Sequence, residues 1–132
     1  MEINKKKVLV ADDDRSVTEL IKSSLESKGY DVVITFDGKE ALEIAKIYKP
    51  DLAILDVLMP EMDGMRVASY LKLDTDTRDI PIIILTGFVD KENEAQVQGS
   101  MRSAKFMAKP FNIKDLIVMV ENTIKKKEEN PS

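Results

Sequence analysis

Short apolar runs alternate with amphipathic stretches along the whole chain. Residues 8–11, 52–55 and 82–85 are continuously apolar, as expected of strands buried on both faces of a parallel sheet. Residues 32–34 and 105–108 are shorter or less uniformly apolar. The pattern therefore predicts five strands, with these last two towards the edges of the sheet.

Apolar positions at helical spacing lie between the strands. The stripes are Val17, Leu20, Ile21 and Leu25 before Gly29, then Ala41, Ile44, Ala45 and Tyr48 before Pro50, and Ile113, Leu116, Ile117, Val120 and Ile124 near the C-terminus. The fourth helical stretch has only Ala95 and Val97 among polar residues, which predicts weak anchoring. Strand and helix alternate five times, so we expect an open α/β sheet with helices on both faces.

Composition narrows the class of protein. A chain of 132 residues with 43% hydrophobic residues predicts one compact domain. The formal net charge of −4 argues against a nucleic-acid-binding domain, and the lysine clusters at 5–7 and 125–127 are expected to be solvated ends. The absence of cysteine and histidine excludes thiolate and imidazole chemistry. Because no apolar run approaches the length needed to span a bilayer and the N-terminus has no hydrophobic signal core, we expect a cytoplasmic protein without a membrane segment.

Candidate chemistry lies directly after the predicted strands. Asp12, Asp13 and Asp14 follow the first strand, Asp56 and Thr86 follow the third and fourth, and Lys109 with Pro110 follows the fifth. The carboxyl ends of parallel strands meet at one edge, so these side chains are expected to share a basin. Crowded carboxylates call for a divalent cation such as Mg²⁺. A carboxylate nucleophile, a metal, a hydroxyl and an ammonium group together predict a phosphoryl-transfer site.

Each residue also has a simpler interpretation. The three consecutive aspartates could be loop and helix-cap residues, since aspartate is favoured at helix N-termini. Asp56 could be a turn residue, Lys109 a surface lysine and Thr86 a cap. Their joint occurrence at several strand ends favours a site over coincidence.

The most specific motif begins at Asp56 and runs DVLMPEMDG to Gly64. With Asp12-Asp13, Thr86 and Lys109-Pro110 at suitable separations, it resembles the receiver domain of two-component response regulators, in the form of a chemotaxis-regulator-like single receiver. The resemblance covers essentially the whole chain. It implies a flavodoxin-like (βα)5 sandwich with a five-stranded parallel sheet in the order 2-1-3-4-5.

The resemblance implies a phosphoacceptor and a metal site. Asp56 would accept the phosphoryl group. Mg²⁺, or Mn²⁺ in its place, would be bound by Asp13, by Asp56, by the backbone carbonyl of Leu58 and, through water, by Asp12. Asp14 falls at the variable third position of the acidic run, and we assign it to capping of the first helix.

Further residues would bind the phosphoryl group or respond to it. Thr86 and Lys109 would each bind a phosphoryl oxygen, and the Lys109–Pro110 bond would be cis. Phe106 occupies the position of the family's aromatic switch, with an ordinary strand aromatic as the alternative.

The sequence departs from the family pattern in two places. Arg102-Ser103 stand where relatives have Gly-Ala, and Gly99 comes earlier, so the fourth helix is expected to end differently. Phe88 and Leu58 would flank the phosphoryl group, and their apolar side chains would hinder the attacking water. We therefore expect a long-lived phosphoryl group.

Function, partners and domain limits follow from the same resemblance. It implies a phosphorelay switch that takes its phosphoryl group from a sensor histidine kinase or phosphotransfer protein. The switch would signal to an effector or output domain through the fourth helix, fifth strand and fifth helix, as a monomer or a phosphorylation-dependent dimer. Such a domain catalyses its own phosphorylation and slow dephosphorylation, yet is mainly a signalling protein. We divide the chain into a lead-in (1–6), the receiver (7–126) and a polar tail (127–132).

Two alternatives belong to other classes. Asp12 to Val17 loosely matches the motif of haloacid-dehalogenase-like phosphatases, with Asp12 as nucleophile and Asp14 as acid, but this leaves the stretch around Asp56 unexplained. A pseudo-receiver would be a binding module that is never phosphorylated. Such proteins generally lack a key position, and none is missing here. A nucleotide-binding domain is disfavoured because no glycine-rich loop follows the first strand.

Overall fold

The computed structural model describes residues 5–87 and 104–129. Its strands are β1 (Lys7–Ala11), β2 (Asp31–Thr35), β3 (Leu52–Asp56), β4 (Ile82–Thr86) and β5 (Ala104–Ala108). Its helices are α1 (Arg15–Ser27), α2 (Gly38–Tyr48), α3 (Gly64–Leu73) and a C-terminal helix (Ile113–Glu129). The predicted fourth helix lies outside the described residues, as do Gly99, Arg102 and Ser103.

The strands form one parallel sheet in the order β2-β1-β3-β4-β5. This order confirms the predicted flavodoxin-like sandwich. The two strands with the weaker apolar runs, β2 and β5, are the edge strands, as predicted. An edge strand needs less apolar surface because it has a neighbour on one side only.

Residues of the central strands alternate between two apolar cores. Leu9, Ala53 and Ile82 pack with α2 and α3 on one face of the sheet. Val8, Ile54 and other strand residues pack with α1 and the C-terminal helix on the opposite face. Because both faces are covered, the central strands are apolar at every position rather than at every second one.

Aspartate side chains begin three of the helices. Carboxylate oxygens of Asp14, Asp37 and Asp63 accept hydrogen bonds from backbone N–H groups in the first turns of α1, α2 and α3. This satisfies donors that have no partner within the helix. The prediction that Asp14 caps the first helix is confirmed. Gly29, with φ at +95°, follows the end of α1 as predicted.

The C-terminal helix buries Leu116, Val120 and Ile124 of the predicted stripe. It continues to Glu129, three residues past the end predicted for the receiver. Among the helices within residues 5–87 and 104–129, none combines the length and the apolar character that crossing a bilayer requires.

Candidate functional site

Polar side chains lie at or directly after the carboxyl ends of four strands, at one edge of the sheet. Asp12 follows β1, Asp56 ends β3, Thr86 ends β4 and Lys109 follows β5. Asp12 is fully buried, and Asp56 and Thr86 are nearly so. Side chains that are far apart in the sequence are thereby brought together at the carboxyl ends of the strands.

Lys109 lies between two of the carboxylates. Its Nζ is 2.7 Å from Oδ2 of Asp12 and 3.2 Å from Oδ1 of Asp56. The Asp12 carboxylate also accepts a hydrogen bond of 3.0 Å from the backbone N–H of Asp14. One ammonium group therefore offsets part of the negative charge of the buried pair.

Asp12, Asp13 and Asp56 form a carboxylate trio that could hold a metal ion. Each offers one oxygen, and the three oxygens lie within 4.8 Å of one another. Asp13 is exposed whereas the other two are buried, so the trio opens to solvent on one side. Carboxylate oxygens together with open positions for water are the donor set that suits Mg²⁺, and the residues present fit this ion.

Burial raises the pKa of Asp56 to about 6, and the Asp12 carboxylate adds to this rise while Lys109 opposes it. Burial alone would lower the pKa of Lys109, but its hydrogen bonds and ion pairs with Asp12 and Asp56 outweigh burial and raise it. The lysine therefore remains a cation, and Asp56 is mainly a carboxylate at pH 7. An ionised carboxylate is the form that acts as a nucleophile.

A model of the response regulator receiver domain family matches residues 8–121. The chain belongs to this family. Membership sets aside the haloacid-dehalogenase alternative and accounts for the motif around Asp56.

Relatives and solved structures agree with this assignment. The chain is 38% identical to "Probable transcriptional regulator ycf27" of Cyanophora paradoxa, over 100% of this chain and 53% of that protein. It is 31% identical to "Polar-differentiation response regulator DivK" of Brucella anthropi, over 89% of this chain and 94% of that protein. The receiver domain of Francisella response regulator 1452 superposes with a TM-score of 0.84 at 34% identity, covering 93% of this chain and 99% of that one. The chain spans about half the length of several curated relatives that it matches.

Two Asp-Gly pairs hold the loop after β3 against the rest of the receiver domain. A Cβ on Gly64 would overlap the backbone carbonyl of Asp56, and a Cβ on Gly38 would overlap that of Met62. The N–H of Gly64 donates to the carbonyl of Val57 at 2.9 Å. Gly38 had no predicted role: the Asp-Gly pair at the start of α2 is visible in the sequence, but the close approach of the Met62 carbonyl is not.

The remaining predicted residues surround the trio to different extents. Leu58 is 60% exposed in the loop after β3. The Lys109 N–H donates to the Thr86 carbonyl at 2.8 Å, and the Lys109–Pro110 bond is cis, as predicted. Phe106 is partly buried against the core on the α2 and α3 face. Phe88 lies outside the described residues.

Proposed function

We propose that this receiver domain is a phosphorylation-activated switch in which Asp56 accepts a phosphoryl group from the phosphohistidine of a sensor kinase or phosphotransfer protein. Response regulator receivers interact with histidine kinases and with output effectors. The observation that carries the proposal is the position of the Asp56 carboxylate. It belongs to the trio with Asp12 and Asp13, and its Oδ1 lies 3.2 Å from Nζ of Lys109. This is the arrangement of nucleophile, cation and acidic ligands that phosphoryl transfer uses.

The reaction assigns a task to each side chain. A carboxylate oxygen of Asp56 forms a bond to phosphorus while the N–P bond of the donor breaks, and the departing imidazole keeps that electron pair. Lys109 offsets the charge on the phosphoryl oxygens, and the Thr86 hydroxyl donates to one of them. In the reverse step, water attacks phosphorus from the side opposite the Asp56 oxygen, the bond between that oxygen and phosphorus breaks, and inorganic phosphate leaves. The apolar Leu58 obstructs the approach of water and makes this step slow.

The metal site consists of Asp13, Asp56 and the Leu58 carbonyl, with Asp12 acting through water. Mg²⁺, or Mn²⁺ in its place, would supply positive charge to offset the charge that develops on the phosphoryl oxygens. The burial of Asp12 beside Lys109 supports its indirect role, because one of its oxygens already accepts from the ammonium group.

The signal leaves through β5 and the C-terminal helix, together with the predicted fourth helix. Thr86 is tied to this region by the hydrogen bond that its carbonyl accepts from Lys109, and Phe106 pairs with Ile84 in the β4–β5 register. When Thr86 moves toward the phosphoryl group, Lys109 is displaced with it through this hydrogen bond. The Phe106 side chain then changes its position on β5. The recognised partner is an effector protein or an output domain, and the domain itself binds no nucleic acid. We place the receiver at residues 7–126, with the last three residues of the C-terminal helix in the polar tail. We place the protein in the cytoplasm.

Measurements of Mg²⁺ binding distinguish the proposed ligand residues from their neighbours in the sequence. We expect Mg²⁺ to shift amide resonances of residues around Asp12, Asp13 and Asp56 in ¹H–¹⁵N NMR spectra, with beryllofluoride shifting β5 as well. Asp13→Asn should weaken Mg²⁺ binding by about tenfold or more, because it removes a direct, charged ligand.

The matched control is Asp14→Asn, since asparagine keeps the cap and Asp14 lies outside the trio. It should retain the Mg²⁺ affinity of the parent. Equal affinities for the Asp13→Asn and Asp14→Asn variants would contradict the ligand assignment. Failure of beryllofluoride to bind would favour a pseudo-receiver.

A further inference from the structure

Large apolar side chains are exposed on the helix layer formed by α2 and α3. Ile47 and Leu73 are 79% and 80% exposed, and Tyr70 is 43% exposed. With the partly buried Leu42, they make up what we call the α2–α3 patch. Single exposed apolar residues are common on protein surfaces, but Leu42, Tyr70 and Leu73 line one groove, and apolar residues grouped in this way mark an interaction surface.

A groove of about 450 Å³ runs between the two helices at this patch. It is lined by Leu42, Lys46, Tyr70, Leu73, Asp74 and Thr75. Its lining therefore combines three apolar or aromatic side chains with one positive and one negative side chain. Mixed apolar and charged residues of this kind are common in protein–protein contacts.

Ile47 and Leu73 occupy equivalent places on the two helices. Ile47 comes two residues after the buried Ala45, and Leu73 two residues after the buried Leu71. Two residues correspond to about 200° around a helix, so both side chains point away from the core. Both lie in the last turn, and both helices run antiparallel to the strands, so the two ends lie together at the sheet edge opposite Asp56.

Opposite charges stand on the two sides of the groove at this same end. Lys46 belongs to the last turn of α2, and Asp74 directly follows α3. Lys46 forms no ion pair with any residue in the described ranges. One oxygen of Asp74 accepts a hydrogen bond from the N–H of Asp76 at 2.9 Å, which fixes the carboxylate in place.

We propose that the α2–α3 patch binds the same patch of a second copy of this chain. A two-fold axis parallel to the helices places α2 of one copy opposite α3 of the other and keeps each residue at its height. Lys46 then faces the second copy's Asp74, and Ile47 faces its Leu73, each contact occurring twice. Such self-complementarity is what a symmetric dimer requires.

The proposed contact lies away from the carboxylate trio. Asp56 is at the carboxyl edge of the sheet, whereas Ile47 and Leu73 are at the amino edge. β5 and the C-terminal helix also remain uncovered, so the dimer leaves the signalling surface free. The dimer should therefore form equally with and without phosphorylation of Asp56.

Sedimentation velocity of the full chain from about 10 μM to 1 mM tests the proposal, covering the range of weak protein contacts. We expect a monomer–dimer equilibrium whose Kd changes less than about twofold when Mg²⁺ and beryllofluoride are added. Leu73→Glu should raise the Kd by about a hundredfold or more, because it places two charges in the apolar contact. Leu20→Glu, at an apolar residue that is 47% exposed on α1, is the matched control and should leave the Kd unchanged.

A double-mutant cycle tests the orientation of the two copies. Lys46→Gln and Asp74→Asn should each raise the Kd by about fivefold relative to the parent. The double variant should also raise it by only about fivefold, and not by the product of the two single effects, because each change removes the same contact. Asparagine retains the acceptor for the Asp76 N–H, so folding is preserved. The proposal is overturned by a chain that stays monomeric at 1 mM, by a dimer that survives Leu73→Glu, or by dimerisation that requires beryllofluoride. Independent effects of the two charge variants would overturn the parallel arrangement.

Discussion

Replacing Asp56 by asparagine removes one charge from a crowded, buried carboxylate pair. In the folded chain the pKa of Asp56 is raised to about 6, first by burial and then by Asp12. In the unfolded chain it returns to its ordinary value of 3.8. Between these two pH values the folded state binds more protons than the unfolded state, so the free energy of unfolding falls as the pH rises. The contribution of Asp56 is fully present below pH 4 and is lost as the pH rises through about 6.

The size of this loss follows from the shift. The pKa of Asp56 rises by roughly two, and each unit of pKa corresponds to about 1.4 kcal/mol. The loss of unfolding free energy therefore has an upper limit of about 3 kcal/mol. Water on the open side of the trio screens the repulsion, so we expect about 1–3 kcal/mol. Asparagine keeps the shape and avoids the charge. Asp56→Asn should therefore be more stable than the parent by this amount at pH 8 without divalent cations.

Urea unfolding at pH 5, 6, 7 and 8, in EDTA, measures the difference directly. The advantage of Asp56→Asn should grow between pH 5 and 7 and then level off. Added Mg²⁺ should stabilise the parent and shrink the advantage, because the ion relieves the same repulsion. A variant that is less stable than the parent at pH 8, or an advantage that does not vary with pH, would refute the electrostatic reasoning.

Other changes test packing and chemistry near the site. Gly64→Ala should lower the free energy of unfolding by about 2 kcal/mol or more in urea, because its Cβ meets the Asp56 carbonyl, whereas Gly87→Ala, where a Cβ meets open space, should be near neutral; equal effects would contradict the close approach. Thr35→Val should stabilise the fold by about 1 kcal/mol in the same assay, since the buried Thr35 hydroxyl has no hydrogen-bond partner within the described residues; a loss of stability would reveal one. If Asp56 is phosphorylated, Leu58→Asn should speed loss of the phosphoryl group in a mass-spectrometric time course, and an unchanged or slower loss would contradict a shielding role for Leu58.

The architecture could be predicted from the sequence because strands that are buried on both faces are apolar at every position. Residues 8–11, 52–55 and 82–85 are apolar throughout, as expected of strands covered on both sides, and they form the three central strands. The edge positions of β2 and β5 followed from their weaker runs. The site followed too, as a set of residue types at strand ends, since a parallel sheet gathers those ends at one edge.

Close approaches between backbone segments could not be predicted from the pattern of residue types along the chain. Gly38 and Gly64 are needed because another part of the chain comes within contact distance, and that proximity exists only once α2, α3 and the loop after β3 are packed. The contact of the Arg15 guanidinium with the Phe36 ring, at 4.2 Å from its centroid, likewise joins residues whose spacing carries no signal. Lys109 was predicted to bind a phosphoryl oxygen, while its contacts to Asp12 and Asp56 required coordinates.

The role of Asp56 as phosphoacceptor is the central claim, and intact-protein mass spectrometry after incubation with acetyl phosphate and Mg²⁺ tests it most directly. We predict a mass gain of one phosphoryl group in the parent, and the same gain in Asp63→Asn, which alters an aspartate of the same motif but keeps the cap of α3. The gain should be absent in EDTA and in Asp56→Asn. A gain that persists in Asp56→Asn would contradict the assignment of the acceptor. No gain in the parent, together with no binding of beryllofluoride, would contradict phosphorylation itself.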